Sequence, residues 1–66
     1  MREPYTIFDI VHRDGWNCWI CGSACRRPSQ PWTYHGAVAT IDHLVPLSLN
    51  GPDILANVKL AHHRCN

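Results

Sequence analysis

Two pairs of potential metal ligands, Cys18-x-x-Cys21 and His62-x-x-Cys65, are separated by a long insert in a chain of 66 residues. No other feature constrains the fold as much. A chain this short buries only ~60% of the surface that its unfolded form exposes, so its core is marginal. Domains of this size usually recruit disulfides, a metal ion or a partner to make up the deficit. Three thiols and an imidazole suit tetrahedral zinc, and a closed set of four ligands is structural rather than catalytic. Gly22, directly after Cys21, tolerates the strained turn of a metal-binding knuckle. Cys25 could replace Cys21, and His63 competes with His62, but Cys21 and His62 are the residues that keep the two-residue spacing. Cys25 is therefore expected as a free small side chain. The alternative, buried thiols and a surface histidine, leaves few apolar residues to hold the chain together.

The hydrophobic share, 45%, is ordinary for a globular protein. Residues 1–5 (MREPY) lead into mixed sequence rather than a signal-type apolar region, and no apolar run approaches the ~20 residues of a membrane span. A cytoplasmic chain with no membrane partner is expected, and in that compartment paired cysteines bind metal more often than they form disulfides. The formal net charge of +1 argues against a nucleic-acid binder that relies on bulk charge. It leaves room for one that works through a metal ion and a few local cations.

A single domain is expected over residues 1–66, with 1–12 as a helical lead-in and 13–66 as the core. Residues 1–6 read as a frayed start, with helix disfavoured before Pro4. Residues 7–13 (IFDIVHR) read as a short helix, because Ile7, Ile10 and Val11 share a face; Asp14-Gly15 ends it. The knuckle follows at 16–22, then a loop at 23–36 that is longer than most connections. Residues 37–41 (AVATI) read as a strand ending before Asp42-His43. Pro46 limits 44–49 to an extended segment, Asn50-Gly51-Pro52 is a turn, and 53–56 is a helical turn capped by Asp53. Residues 58–60 read as a second strand with Val58 and Leu60 on one face, and His62 onward as the start of a helix.

The remaining polar residues suit phosphodiester hydrolysis. That reaction needs a base for water, a Lewis acid for developing charge and help for the leaving oxygen. His43 is the candidate base, since imidazole titrates near neutrality. Asp42 and Asn66 offer oxygen ligands suited to a hard cation such as Mg2+ or Mn2+. In a regular strand Asp42 and His43 point to opposite faces, so a bulge or a strand end is needed to serve one site. Asn57 is expected to hydrogen-bond the backbone of the 44–56 loop and so fix His43. Singly, each of these residues is commonplace: Asn57 would cap a turn and Asn66 would fray. Their order relative to the metal pairs is the informative part.

Together, Arg13-Asp14-Gly15 with Cys18-x-x-Cys21-Gly22, then Ile41-Asp42-His43-Leu44-Val45-Pro46-Leu47, then Asn57-Val58-Lys59-Leu60-Ala61-His62-x-x-Cys65-Asn66 resemble the HNH endonucleases. These are ββα-metal nucleases with a zinc-knuckle scaffold. The resemblance covers most of residues 13–66. It implies an α+β, treble-clef-like fold: a β-hairpin and a helix around a catalytic metal, braced by the knuckle. By position it implies His43 as general base, Asp42 and Asn66 as ligands of the divalent ion, and Asn57 as the residue that orients the loop. Cys18, Cys21, His62 and Cys65 match the structural zinc positions. Small members of this kind occur in bacteria and phages, which implies DNA as substrate and a larger phage or bacterial protein as a possible partner. Family members continue the final helix past Cys-Asn with a basic residue and Gly; this sequence stops at Asn66, so a shortened final helix is expected.

Arg26, Arg27, Arg64 and Lys59 are candidate phosphate contacts, and Trp32 or Tyr34 could stack on bases. The plainer reading is a solvated basic face, with Trp16 and Trp19 packing on the small core beside the knuckle. No segment reads as a base-recognition helix, so low sequence specificity is expected. Two further classes compete with the nuclease: a zinc-stabilised module that binds nucleic acid or protein without cutting, and a structural zinc fragment of a larger machine. Neither has any need of the Asp42-His43 pair or of Asn66.

Overall fold

The computed structural model describes residues 2–28 and 36–66. Helix α1 (Ile7–Asp14) runs one residue past the expected end. Thr6 caps it: the Thr6 N–H donates to the Asp9 carboxylate at 2.7 Å, and the Asp9 N–H donates to the Thr6 carbonyl at 3.1 Å. An acidic group in the first turn also complements the positive end of the helix. Gly15 closes the helix by donating its N–H to the Val11 carbonyl. Ile10 is completely buried, and Ile7 and Val11 pack beside it.

Strands β1 (Ala39–His43) and β2 (Val58–His62) form a two-stranded antiparallel sheet. The register runs from Ala39 opposite His62 to His43 opposite Val58. This corrects the expected first strand, which lies two residues further along at both ends. Val38 pairs with Arg26 in a separate parallel bridge, and Asp42 and His43 are themselves paired, with Lys59 and Val58. The partner strand sets these ends, and local composition cannot reveal it. Strand β2 likewise extends through Ala61 and His62, both buried, beyond the alternating Val58 and Leu60.

The core is small. Among the described residues its buried apolar members are Ile10, Cys18, Cys25, Ala39, Val58, Leu60 and Ala61. Only three of these are large aliphatics, each worth ~1.5–3 kcal/mol. So small an apolar core leaves burial alone a marginal hold on the fold. Polar ties add to it. The Arg13 guanidinium donates to the carbonyls of Leu55 at 2.9 Å and Val58 at 2.8 Å, and pairs with Asp14 at 2.6 Å. That fastens α1 to the start of β2.

Several connections differ from expectation. The N-terminal segment is tied down rather than frayed: Glu3 N–H donates to the Asp53 carbonyl at 3.1 Å, and the Glu3 carboxylate accepts from Leu55 N–H at 2.7 Å. The expected 23–36 loop begins as paired backbone, with Ala24 against Asn17 and Arg26 against Val38. Its centre, including Trp32 and Tyr34, lies outside the described residues. After Pro46 the chain tightens into a 3-10 turn at Leu47–Leu49 instead of staying extended. Gly51 is sterically required, because a Cβ there would sit 1.8 Å from the Val45 carbonyl oxygen. Asp53 does not cap a helical turn. The turn is Leu55–Asn57, it is preceded by extended Ile54, and the Asp53 carboxylate is drawn to Tyr5 and His43. Leu44, Val45, Leu47 and Leu49 all project outward, so this loop is not held by burial. After β2, the N–H groups of Cys65 and Asn66 both donate to the His62 carbonyl at 3.0 Å; this is a single turn in place of the helix expected from His62, which itself ends the strand. Among the described residues no helix is long and apolar enough to cross a membrane.

Candidate functional site

Two polar centres lie on the hairpin. The first joins the knuckle to the end of β2. Gly22, with φ of 81°, donates its N–H to the Cys18 carbonyl at 2.8 Å and closes the turn. The Cys18 N–H donates to the Ser23 carbonyl, and the Trp19 N–H donates to the Leu60 carbonyl, docking the turn on β2. One ligand atom from each of Cys18, Cys21, His62 and Cys65 then lies within 4.8 Å of the others. A tetrahedron with Zn–S bonds of ~2.3 Å has edges of ~3.8 Å, so the four atoms are close to the spacing such an ion needs. The His62 Nε2 lies 2.8 Å from the Ala24 carbonyl, which can only accept. Nε2 therefore carries the hydrogen and Nδ1 is left as the donor toward the sulfurs, 3.2 Å from the Cys21 Sγ. The donor set, its spacing and the histidine tautomer all fit zinc.

Without an ion, two of the four groups are drawn toward the ligand form and two away from it. Burial pushes the Cys18 thiol up, but backbone N–H groups of Cys21, His62 and Ile20 outweigh it and bring the group down to about 6. The backbone N–H of Ser23 does the same for Cys21, lowering it. The Ala24 carbonyl raises His62, and burial raises Cys65. Cys25 stands apart: it is buried in the core as a free thiol, and burial pushes it up to about 11.

The second centre is the end of β1. His43 is the last paired residue of the strand. Its Nε2 lies 3.0 Å from the Asp53 Oδ1, and the Tyr5 hydroxyl donates to that same oxygen at 2.6 Å. The hydrogen bonds from Tyr5 and His43 hold Asp53 below the usual carboxylate range. Burial and the Asp53 hydrogen bond push Tyr5 up to about 12. The Asp42 carboxylate accepts from the Trp19 indole N–H at 2.8 Å. Trp19 is therefore no core residue. It is half exposed, and it reaches from the knuckle to the strand. Trp16 does pack on the core, edge to Phe8, with the Arg27 guanidinium 5.2 Å above its ring. The Asn66 amide donates to the Thr40 hydroxyl at 3.2 Å and the Ile41 carbonyl at 3.3 Å, which leaves its oxygen as a donor atom for a cation.

Asn57 is buried behind the loop that follows His43. Its amide nitrogen donates to the carbonyls of Val45 at 3.0 Å and Pro52 at 2.9 Å, and its oxygen accepts from the Val45 N–H at 3.0 Å. Its own carbonyl accepts from the Leu44 N–H. Arg26, Arg27 and Arg64 are exposed, and the stem of Arg64 packs at Gly36. Lys59 lies 4.0 Å from Asp14, a loose ion pair. Sequence reasoning missed Asp53 and Tyr5 as neighbours of His43. A lone aspartate after Gly-Pro reads as a turn or cap residue, and only the tertiary fold brings Tyr5 to it.

Fold and cluster together define a small α+β domain whose four clustered ligand atoms could hold one tetrahedral metal ion. The family model described as HNH endonuclease matches residues 18–66, and the chain belongs to that family. No curated protein and no solved structure matches the chain. Helix α1 and Tyr5 lie ahead of the matched span.

Proposed function

We propose that the chain is a metal-dependent endonuclease that hydrolyses phosphodiester bonds in DNA, with zinc held by Cys18, Cys21, His62 and Cys65 as its brace. The observation that carries this reading is a convergence. The Asn66 carboxamide contacts the carbonyl of Ile41, 25 residues away in sequence and directly before Asp42-His43. Asn66 so lies beside the strand that carries Asp42 and His43, a placement that a zinc scaffold alone does not require.

In this mechanism Asp42 and Asn66 would hold a divalent ion of the Mg2+ or Mn2+ type, since their oxygens suit a hard cation. Once bound, that ion supplies positive charge for the phosphate in the transition state and for the leaving oxygen. His43 takes a proton from the attacking water. The Trp19 indole orients the Asp42 carboxylate and leaves the second carboxylate oxygen available. Asn57 holds the loop after His43 in place, so the base need not be ordered at the moment of reaction. Exposed Arg26, Arg27 and Arg64 suit the phosphate backbone, a contact that carries no sequence information.

The rival is a zinc-braced module that binds without cutting, and the Trp19 hydrogen bond favours it to the extent that it occupies one oxygen of Asp42. Supercoiled plasmid incubated with zinc-loaded protein and added Mg2+ or Mn2+ separates the two. Nicking that His43→Ala abolishes while keeping its zinc supports the nuclease. Equal nicking by wild type and His43→Ala, or none by either, sinks it.

A further inference from the structure

We propose that Asp53 is a positioning residue for His43, backed by Tyr5, and that the N-terminal segment is thereby a working part of the site. The inference deepens the nuclease reading and rests on it for its kinetic consequence. Its structural claim can be tested without any cutting.

Asp53 Oδ1 lies 3.0 Å from the His43 Nε2 and 2.6 Å from the Tyr5 hydroxyl. An ionised carboxylate only accepts hydrogen bonds, so both neighbours must donate. Nε2 therefore keeps its hydrogen, and the imidazole lone pair sits on Nδ1. The contact fixes the tautomer, the rotation of the ring and the nitrogen that meets water. In the reaction the water proton passes to Nδ1 while Nε2 retains its own. The resulting imidazolium still donates to Asp53, which stays ionised throughout.

The carboxylate of Asp53 is not needed to hold the backbone at this point. The Asp53 carbonyl already accepts from Glu3, and the N–H of Leu55, which a capping aspartate would take, goes to Glu3 instead. Arg2 approaches Asp53 only to 3.7 Å from a largely exposed position, a weak pair. The His43 and Asp53 side chains are 20% and 27% exposed, ordered yet open, as a base that must reach water and substrate requires. Tyr5 precedes the span that the family model matches, so the family pattern does not supply it.

The test uses the full zinc-loaded chain labelled with 15N. Side-chain 1H–15N correlation reads which nitrogen of His43 bears hydrogen. Wild type is expected to show the Nε2–H form, Asp53→Ala a mixture of tautomers, and Asp53→Asn the Nε2–H form again, because the amide oxygen can accept. In plasmid nicking, Asp53→Ala should lower kcat about 10- to 100-fold with KM within about twofold, and Asp53→Asn should recover part of it. Tyr5→Phe, which leaves the carboxylate in place, should keep the tautomer and lower kcat about threefold. If Asp53→Ala does not fold, the wild-type tautomer decides the claim for Asp53, and Tyr5→Phe decides the claim for Tyr5. An Nδ1–H form in wild type, or an unchanged tautomer in Asp53→Ala, overturns the proposal, and an unchanged kcat in Tyr5→Phe overturns the part given to Tyr5. If the wild type cuts nothing, the nuclease reading fails while the tautomer result still decides the positioning claim.

Discussion

Replacing Asn57 by alanine removes three hydrogen bonds that hold the loop after His43: two donated by its amide to Val45 and Pro52, and one accepted from Val45. Each is worth about 1 kcal/mol net, so the group sums to about 3 kcal/mol. Asn57 itself is only 7% exposed, but Val45 is 47% exposed, so water recovers part of the loss at Val45. The expected cost is about 2–3 kcal/mol. That is a large share of the roughly 3–10 kcal/mol expected for a chain of this size. Denaturant unfolding of the zinc-loaded protein measures the total, and hydrogen exchange at the Leu44 and Val45 amides locates it. Asn57→Asp sharpens the test. An oxygen in place of the amide nitrogen would face two carbonyls at about 3 Å, and neither can donate to it. The ionised aspartate should therefore be at least as destabilising as alanine above pH ~5, and less so once protonated near pH ~3. A cost below about 0.5 kcal/mol for Asn57→Ala, or wild-type stability for Asn57→Asp at pH 7, would refute the clamp.

Cys65→Ala should lose the bound zinc and unfold, since metal binding in small zinc domains supplies ~10–16 kcal/mol, whereas Cys25→Ala should keep one zinc per chain and lose only a small packing contribution; elemental analysis of both variants checks this. Zinc affinity should depend on pH with a definite sign. The folded site holds Cys18 at about 6, below its ordinary value of ~9, so its preference for the folded thiolate is complete above ~9 and is lost as pH falls through about 6. Chelator competition should therefore show zinc affinity falling more steeply below about pH 6 than between 7 and 8, and an affinity independent of pH from 8 to 5 would contradict the assignment.

The legible parts of this sequence were those written in short-range spacing. The i, i+3, i+4 pattern of Ile7, Ile10 and Val11 with Gly15 behind it found the helix, and the two x-x pairs found the cluster of four ligand atoms. Features set by distant partners were not legible. Strand β1 shifted by two residues because Val38 found Arg26 and Asp42 found Lys59, pairings absent from local composition. Trp19 looked like a core aromatic until its indole N–H met Asp42, 23 residues on. Asp53 reads as a cap from its neighbours, and its carboxylate was captured by a tyrosine 48 residues earlier. In a chain with so small an apolar core, polar side chains take over the fixing of loops, and these are the contacts that sequence periodicity does not encode.

The central claim is that one ion braces the fold and a different one serves the chemistry. Elemental analysis of purified protein, paired with plasmid cutting before and after addition of Mg2+ or Mn2+, tests it most directly. One zinc per chain, no cutting without the added ion and cutting with it is the predicted result. No zinc in folded protein would contradict the brace, and cutting that is independent of any added ion would contradict the separation of roles.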